Sequence, residues 1–139
     1  MSHYRDALAF HLRIGDRPPE APRRPDAAAL ELRMRLVREE ADEALAALAA
    51  LAGDGAGLAE AAHELADLLY VTYGTFVALG VDADEVFAAV HDANLRKAGA
   101  PRRPDGKQLK PDGWRPADVA AVLERQLRET RQGRVMLEL

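Results

Sequence analysis

The stretch LAEAAHELADLLYVTYGTFVAL, Leu58 to Leu79, decides how the chain folds. From Leu65 to Val81 its only formally charged residue is Asp67, and apolar or small side chains fall on nearly every helical face. A helix of that kind is expected to be enclosed by neighbours. An isolated carboxylate inside it loses its hydration and needs a partner, a proton or a metal. Glu64 lies three residues before Asp67, and residues three apart share a helix face, so two acids point the same way.

The preceding segment answers with a second pair. Leu30, Met34, Val37, Ala41, Ala44, Leu48 and Leu51 recur at spacings of four and three, the seam of a packed helix. Glu31, Arg35, Arg38 and Asp42 fall on its wet side; Glu40 lies inside the apolar arc, Glu43 at its edge and Glu39 further round. Glu40, Glu43, Glu64 and Asp67 are therefore expected to converge. Carboxylates that close repel, by about 4 kcal/mol per pair at roughly 4 Å and an effective dielectric near 20. Divalent cations reverse the sign, and hard oxygen ligands without cysteine favour Mg²⁺, with Mn²⁺ as a substitute. The competing reading makes them half-exposed acids bridged to Arg33 or Arg38. Two such motifs on consecutive helices, one inside an otherwise uncharged run, favour convergence.

At 139 residues the chain suits a single domain over 1–139. Hydrophobic residues make up 48% and aromatics 5%, much of the apolar content being alanine, so close helix packing through small side chains is expected. The net charge of −4 hides a segregation. Arg96 to Arg115 holds seven basic and two acidic residues, a local +5 that leaves −9 elsewhere. An acidic bundle with a basic segment suits an anionic, metal-bound ligand; nucleic acid is disfavoured because the run lacks interleaved aromatics apart from Trp114. Without cysteine there is neither a disulfide framework nor a thiolate site. The start, MSHYRDALAF, does not read as a signal peptide, and the apolar run from Leu65 falls short of a membrane span. A soluble cytoplasmic protein is the expectation.

In chain order, residues 2–14 read as a short helix closed by Gly15, with His11 as a candidate pocket residue. The proline-rich DRPPEAPRRPD reads as a linker. Asp26 is placed to cap a helix over 27–52, ended by the glycine-rich turn at 53–57. After the helix 58–79 and Gly80, Asp82 with Glu85 reads as a capping pair for a helix over about 82–98, whose stripe runs Phe87, Val90, Asn94, Lys97. Residues 99–115 have turn composition and suit a basic flap that orders over phosphates, or else a solvated tail. Pro116 fits the first turn of a last helix over about 117–129. The end, RVMLEL, is left to pack on the domain or on a second subunit. No strand pattern is present: the fold class is all-α, a four-helix-type bundle with additional N- and C-terminal helices.

Glu-Glu-Ala-Asp-Glu at 39–43 followed by Glu-Leu-Ala-Asp-Leu-Leu-Tyr at 64–70 resembles the paired acidic signature of the all-α nucleoside triphosphate pyrophosphohydrolases, which include MazG-like proteins, dimeric dUTPases and phosphoribosyl-ATP pyrophosphohydrolases. His91 to Lys97, Asp105-Gly106-Lys107, Lys110 and Trp114-Arg115-Pro116, with Phe10-His11 and Gly15, look like the MazG-like branch often labelled phosphoribosyl-ATP pyrophosphohydrolase-like. The resemblance implies a homodimer that binds Mg²⁺ through Glu40, Glu43, Glu64 and Asp67 and cleaves a nucleoside triphosphate between its α- and β-phosphates. In that reading Glu39 or Glu43 takes the proton of the attacking water, Asn94, Lys97, Lys107 and Lys110 bind phosphate oxygens, and Tyr70 lines the sugar side. Members of the branch that act on dUTP make dUTP the expected substrate, with a broader nucleotide range or phosphoribosyl-ATP as the alternative.

Two readings from other classes compete. A ferritin-like di-iron bundle needs a Glu-x-x-His on each of two helices; Glu60 with His63 supplies one, but Ala88 stands where His91 would need its glutamate. A non-catalytic helical adaptor would carry the same acids as surface pairs.

Overall fold

The computed structural model describes residues 2–52 and 57–137, the last four of these by backbone alone. Five α-helices account for it, and among the described residues the only extended pairing is an isolated bridge between Arg102 and Gln108. The all-α class is therefore what the chain adopts. Among those residues no single helix is long and apolar enough to cross a membrane. Two compact units divide the chain, Met1–Val81 and Asp82–Leu139.

In the first unit, α1 (His3–Arg13) begins where the Ser2 hydroxyl accepts from the Arg5 amide at 3.1 Å. Asp26 does the same for α2 (Ala27–Leu51), accepting from the Ala29 amide at 2.8 Å. Both boundaries match the sequence reading. The glycine-rich turn falls outside the described residues except for Gly57, from which α3 (Leu58–Leu79) starts. Gly80, at φ +64, ends α3 in the left-handed conformation that glycine takes without a Cβ penalty. Within α3, the Thr72 and Thr75 hydroxyls donate to the carbonyls of Leu68 and Val71 at 2.7 and 2.8 Å, which satisfies them without a partner from elsewhere. The proline-rich linker crosses the end of α3: the Arg23 amide donates to the Leu79 carbonyl at 3.0 Å.

One expectation fails here. α3 is not enclosed. Ala61, Gly74 and Val77 are buried, but Leu65, Leu69 and Tyr70 are 40%, 58% and 43% exposed. α1 and α2 cover the sides that carry the small residues, and the larger side chains stay open. On α2 the expected seam is likewise only partly covered: Ala44 is buried while Met34 is 63% exposed.

In the second unit, Asp82 caps α4 (Ala83–Leu95) by accepting from the Asp84 amide at 2.9 Å. Glu85 does not complete a capping box. Its carboxylate instead accepts from Gln126 Nε2 at 3.0 Å and Arg125 Nη2 at 3.1 Å, both on α5 (Val119–Leu137). The buried stripe of α4 is Ala83, Val86 and Ala93, not the one through Phe87 and Val90, which are exposed together with Asn94. α5 starts later than Pro116 because Asp118 serves as its cap, accepting from the Ala121 amide at 3.0 Å. It also runs further, to Leu137; the packing of 134–139 lies outside the described side chains.

Gln126, only 7% exposed, joins the two helices. Its Oε1 accepts from the Asp82 amide at 3.0 Å, and its Nε2 donates to the Asp82 carbonyl at 3.1 Å as well as to Glu85. The Gln126 and Arg125 hydrogen bonds hold the Glu85 carboxyl below its ordinary range. Gln126→Ala is expected to cost about 1–3 kcal/mol, because it leaves half-buried groups unpaired. A depressed carboxyl pKa stabilises above the unfolded value and loses that contribution as pH falls through the folded value. The melting-temperature gap between wild type and Gln126→Ala should therefore narrow below about pH 4. A gap independent of pH would show that Glu85 does not carry it.

Residues 99–115, read as a basic flap or a solvated tail, are tied back to the end of α4. Gln108 Nε2 donates to the carbonyls of Lys97 and Ala100 at 3.0 and 2.6 Å, and Trp114 Nε1 donates to the Ala93 carbonyl at 2.7 Å. These bonds reach carbonyls at and beyond the end of α4, where intrahelical donors run out; the Lys97 carbonyl also accepts from the Ala100 amide at 3.2 Å. Arg103 and Asp105 pair across a tight turn that closes with Gly106 donating to the Arg103 carbonyl at 2.8 Å.

Candidate active site

α2 and α3 form an antiparallel hairpin whose register can be read from paired positions. Glu43 meets Glu64, and a Cβ placed on Gly74 would lie 3.1 Å from Arg33 Nη1. In both pairs the residue numbers sum to 107, and Glu40 with Asp67 obeys the same rule. Of the four acids expected to converge, this register brings three together. Glu40, Glu43 and Glu64 each offer a carboxylate oxygen, all within 4.8 Å of one another. Glu40 and Glu64 are half-buried and Glu43 is exposed.

Asp67 stands at the edge of this group. Its Oδ2 lies 3.2 Å from His63 Nε2, a turn back along α3, and its side chain is 45% exposed. Its charge is nonetheless felt by the cluster, as repulsion. Partial burial, and then the charges of Glu43, Asp67, Glu64 and Glu39, push the Glu40 carboxyl above its ordinary range. Glu39 itself is exposed, 3.9 Å from Arg35. Among the described residues neither Arg33 nor Arg38 forms an ion pair with these acids, so the reading that made them ordinary bridged carboxylates loses both of its proposed partners. The donor set is all oxygen, carries net negative charge and includes no histidine nitrogen, which fits a hard divalent cation rather than a di-iron centre.

Tyr70, one turn beyond Asp67, is 43% exposed and meets Phe10 of α1 edge-on, ring centroids 5.6 Å apart. Phe10 is also 5.6 Å from the His11 ring. His11 is 6% exposed, and its Nδ1 lies 2.6 Å from Asp16 Oδ2. The aromatic corner was not legible beforehand as a corner, since one Phe on a short helix reads as core.

The second unit gathers three of the four proposed phosphate ligands around Trp114. Lys97 Nζ donates to Asn94 Oδ1 at 2.6 Å and stands 4.9 Å from the indole centroid; Lys110 Nζ stands 4.5 Å from it. Lys107 is not among them. It sits on the exposed turn at 103–107, where its amide donates to Asp105 at 3.1 Å. Sequence reasoning noticed Trp114 but not that it would organise the lysines.

The pattern of the phosphoribosyl-ATP pyrophosphohydrolase family matches residues 7–94. The chain belongs to this family. With it comes membership of the MazG-like all-α nucleoside triphosphate pyrophosphohydrolases, the resemblance drawn from the acid pairs. The matched span runs through α1, α2 and α3 into α4, so it includes all four acids, His11 and Asn94, and it stops short of Lys97, Lys107 and Lys110. No curated protein sequence matches the chain. Pyrophosphohydrolase chemistry on a nucleotide is what the family supplies; which nucleotide is a separate matter.

Proposed function

We propose that the protein is a Mg²⁺-dependent nucleoside triphosphate pyrophosphohydrolase, with Mn²⁺ able to substitute, that acts on dUTP and related deoxynucleotides. The observation that carries the reaction is the meeting of Glu40, Glu43 and Glu64 within 4.8 Å on a family-matched helical hairpin. Those three with Asp67 would hold the cation. When bound it supplies positive charge to the triphosphate and lowers the pKa of water. Glu43, exposed at the rim of the cluster, or Glu39 beside it, takes the proton of the attacking water. Water adds at the α-phosphorus, the bond to the α–β bridging oxygen breaks, and a nucleoside monophosphate and pyrophosphate result. Lys97, Lys110 and Asn94 bind phosphate oxygens, with Lys107 a further cation, and Tyr70 with Phe10 offers aromatic surface to the nucleoside. The dUTP lean rests on resemblance to the dUTPase members; phosphoribosyl-ATP or a broad nucleotide range is the second reading, favoured by the family's name.

The assay is pyrophosphate and monophosphate release from a panel of deoxy- and ribonucleoside triphosphates with Mg²⁺, with Mn²⁺ and with chelator. Equal amounts of both products, lost in chelator, are expected, fastest with dUTP. No turnover under either metal would end the enzyme reading for these substrates. Lys97→Ala is expected to raise KM about fivefold, the worth of one screened ionic contact of ~1 kcal/mol, and to flatten its salt dependence. An unchanged salt slope removes Lys97 from the phosphate site. We also propose a homodimer, supported by the exposure of Met34, Leu45, Leu69 and Phe87, each more than half open; light scattering of the eluting protein at the mass of a monomer would contradict it.

A further inference from the structure

We infer that the cleft between α1, the 16–26 linker and the α2–α3 hairpin is a second anion site, built to hold a phosphate monoester. It encloses about 300 Å³ and is lined by three arginines, Arg17, Arg23 and Arg33, together with His11. Each of the two carboxylates at its wall already has a partner other than an arginine. Asp16 is held by His11, and Asp26 caps α2. Among the described residues none of the three guanidinium groups has a carboxylate within ion-pair distance. Arg33 is half-buried, where an unpaired cation is costly and a bound anion relieves the cost.

The cleft is shaped for this. Asp16 fixes His11 by Nδ1, which leaves Nε2 directed at Gly74 and Arg33. A Cβ on Gly74 would lie 2.8 Å from that Nε2 and 3.1 Å from Arg33 Nη1, so a glycine inside α3 makes room for both groups. Pro18, Pro19 and Pro25 stiffen the linker wall. Guanidinium forks match phosphate geometry in pairs, and the volume admits a sugar together with the phosphate it carries.

Its place along the hairpin separates it from the acid cluster. Arg33 precedes Glu40 by seven residues and Gly74 follows Asp67 by seven. Seven residues return to almost the same helix face, roughly 10 Å further along the axis. The second site therefore lies on the face of the acids, about two turns away, and Phe10 and Tyr70 belong to the same stretch. A phosphate there has two sources: the far end of a substrate that carries one beyond its base, or free phosphate. Only that choice depends on the proposed reaction.

Calorimetric titration of the full chain in chelator tests the cleft with ribose 5-phosphate, inorganic phosphate and, as a neutral control, ribose. Ribose 5-phosphate should bind and ribose should not; Arg33→Gln should raise its Kd at least tenfold. Arg23→Gln, at an exposed position, should weaken binding too and decides the matter if Arg33→Gln does not fold by circular dichroism. No binding of either phosphate to wild type, or binding untouched by these variants, overturns the site. Turnover of phosphoribosyl-ATP and ATP with Mg²⁺ then identifies the source. A tenfold loss in Arg33→Gln on phosphoribosyl-ATP alone assigns the far phosphate of a substrate. Equal effects on both nucleotides, with ribose 5-phosphate binding still lost in the variant, support the anion site and assign it to free phosphate. Absence of turnover on any nucleotide overturns the proposed reaction, while the titration still decides the cleft.

Discussion

Glu64→Gln should reduce pyrophosphate release at least about 10²-fold while the metal-free protein melts no lower than wild type. The two halves of this expectation come from the same geometry. Glu64 contributes one of three oxygens within 4.8 Å of one another, and the amide keeps the size of the carboxylate while removing its charge and its strength as a ligand. In chelator that charge is a liability, because it is among those that push the Glu40 carboxyl upward. Removing it relieves repulsion and strands nothing, since among the described residues Glu64 makes no ion pair. Mg²⁺ should raise the melting temperature of wild type by mass action and leave the variant nearly unmoved. Glu60→Gln is the control: the residue is exposed, on the same helix, and outside the cluster. Full turnover by Glu64→Gln, or a melting temperature that falls in chelator, would remove this residue from the metal site and favour an adaptor with surface acids.

The acids were legible in the sequence because their message is carried by spacing alone. Two pairs three apart, on helices that a short turn forces to run antiparallel, can meet only if the register allows it, and buried small residues such as Ala44 and Ala61 let the two helices pack closely. The caps were equally plain, since Asp26 and Gly80 each act through their own residue chemistry. The buried side of α4 was not. Its sequence carries two stripes, one through Phe87 and Val90 and one through Ala83, Val86 and Ala93, and bulk suggested the first. The choice is made by Gln126, 44 residues from Asp82, through hydrogen bonds that no local pattern encodes. Arg33 was hidden for a different reason. In the sequence it reads, with Arg38, as a candidate bridge to the acids, and only Gly74, opposite it in the register, marks the space it occupies. Burial of α3 was overread because apolar composition shows that cover is wanted, not that the same chain provides it.

Gly80→Ala should be the most destabilising single methyl that can be added to this chain, costing about 3 kcal/mol and lowering the melting temperature by roughly 10 °C. Two independent penalties add. At φ +64 the residue occupies the left-handed region, which costs an alanine about 1–2 kcal/mol. Its Cβ would also collide with the carbonyl oxygen of Ala21 and lie 2.9 Å from both that carbonyl carbon and Pro19 Cγ. A flexible side chain could swing away from such a contact, but here the obstacle is backbone, tied down next door by the bond from the Arg23 amide to the Leu79 carbonyl. The linker must then lift from the end of α3, and it carries Pro18, Pro19 and Arg23 of the phosphate cleft with it. Gly15→Ala separates the two penalties. Gly15 has φ +92, but its Cβ would meet nothing within 4 Å, so it should cost only the conformational part. Thermal unfolding of both variants measures the difference. Equal losses at the two positions would mean that the linker yields without cost, and that its contact with α3 contributes little to holding the cleft together.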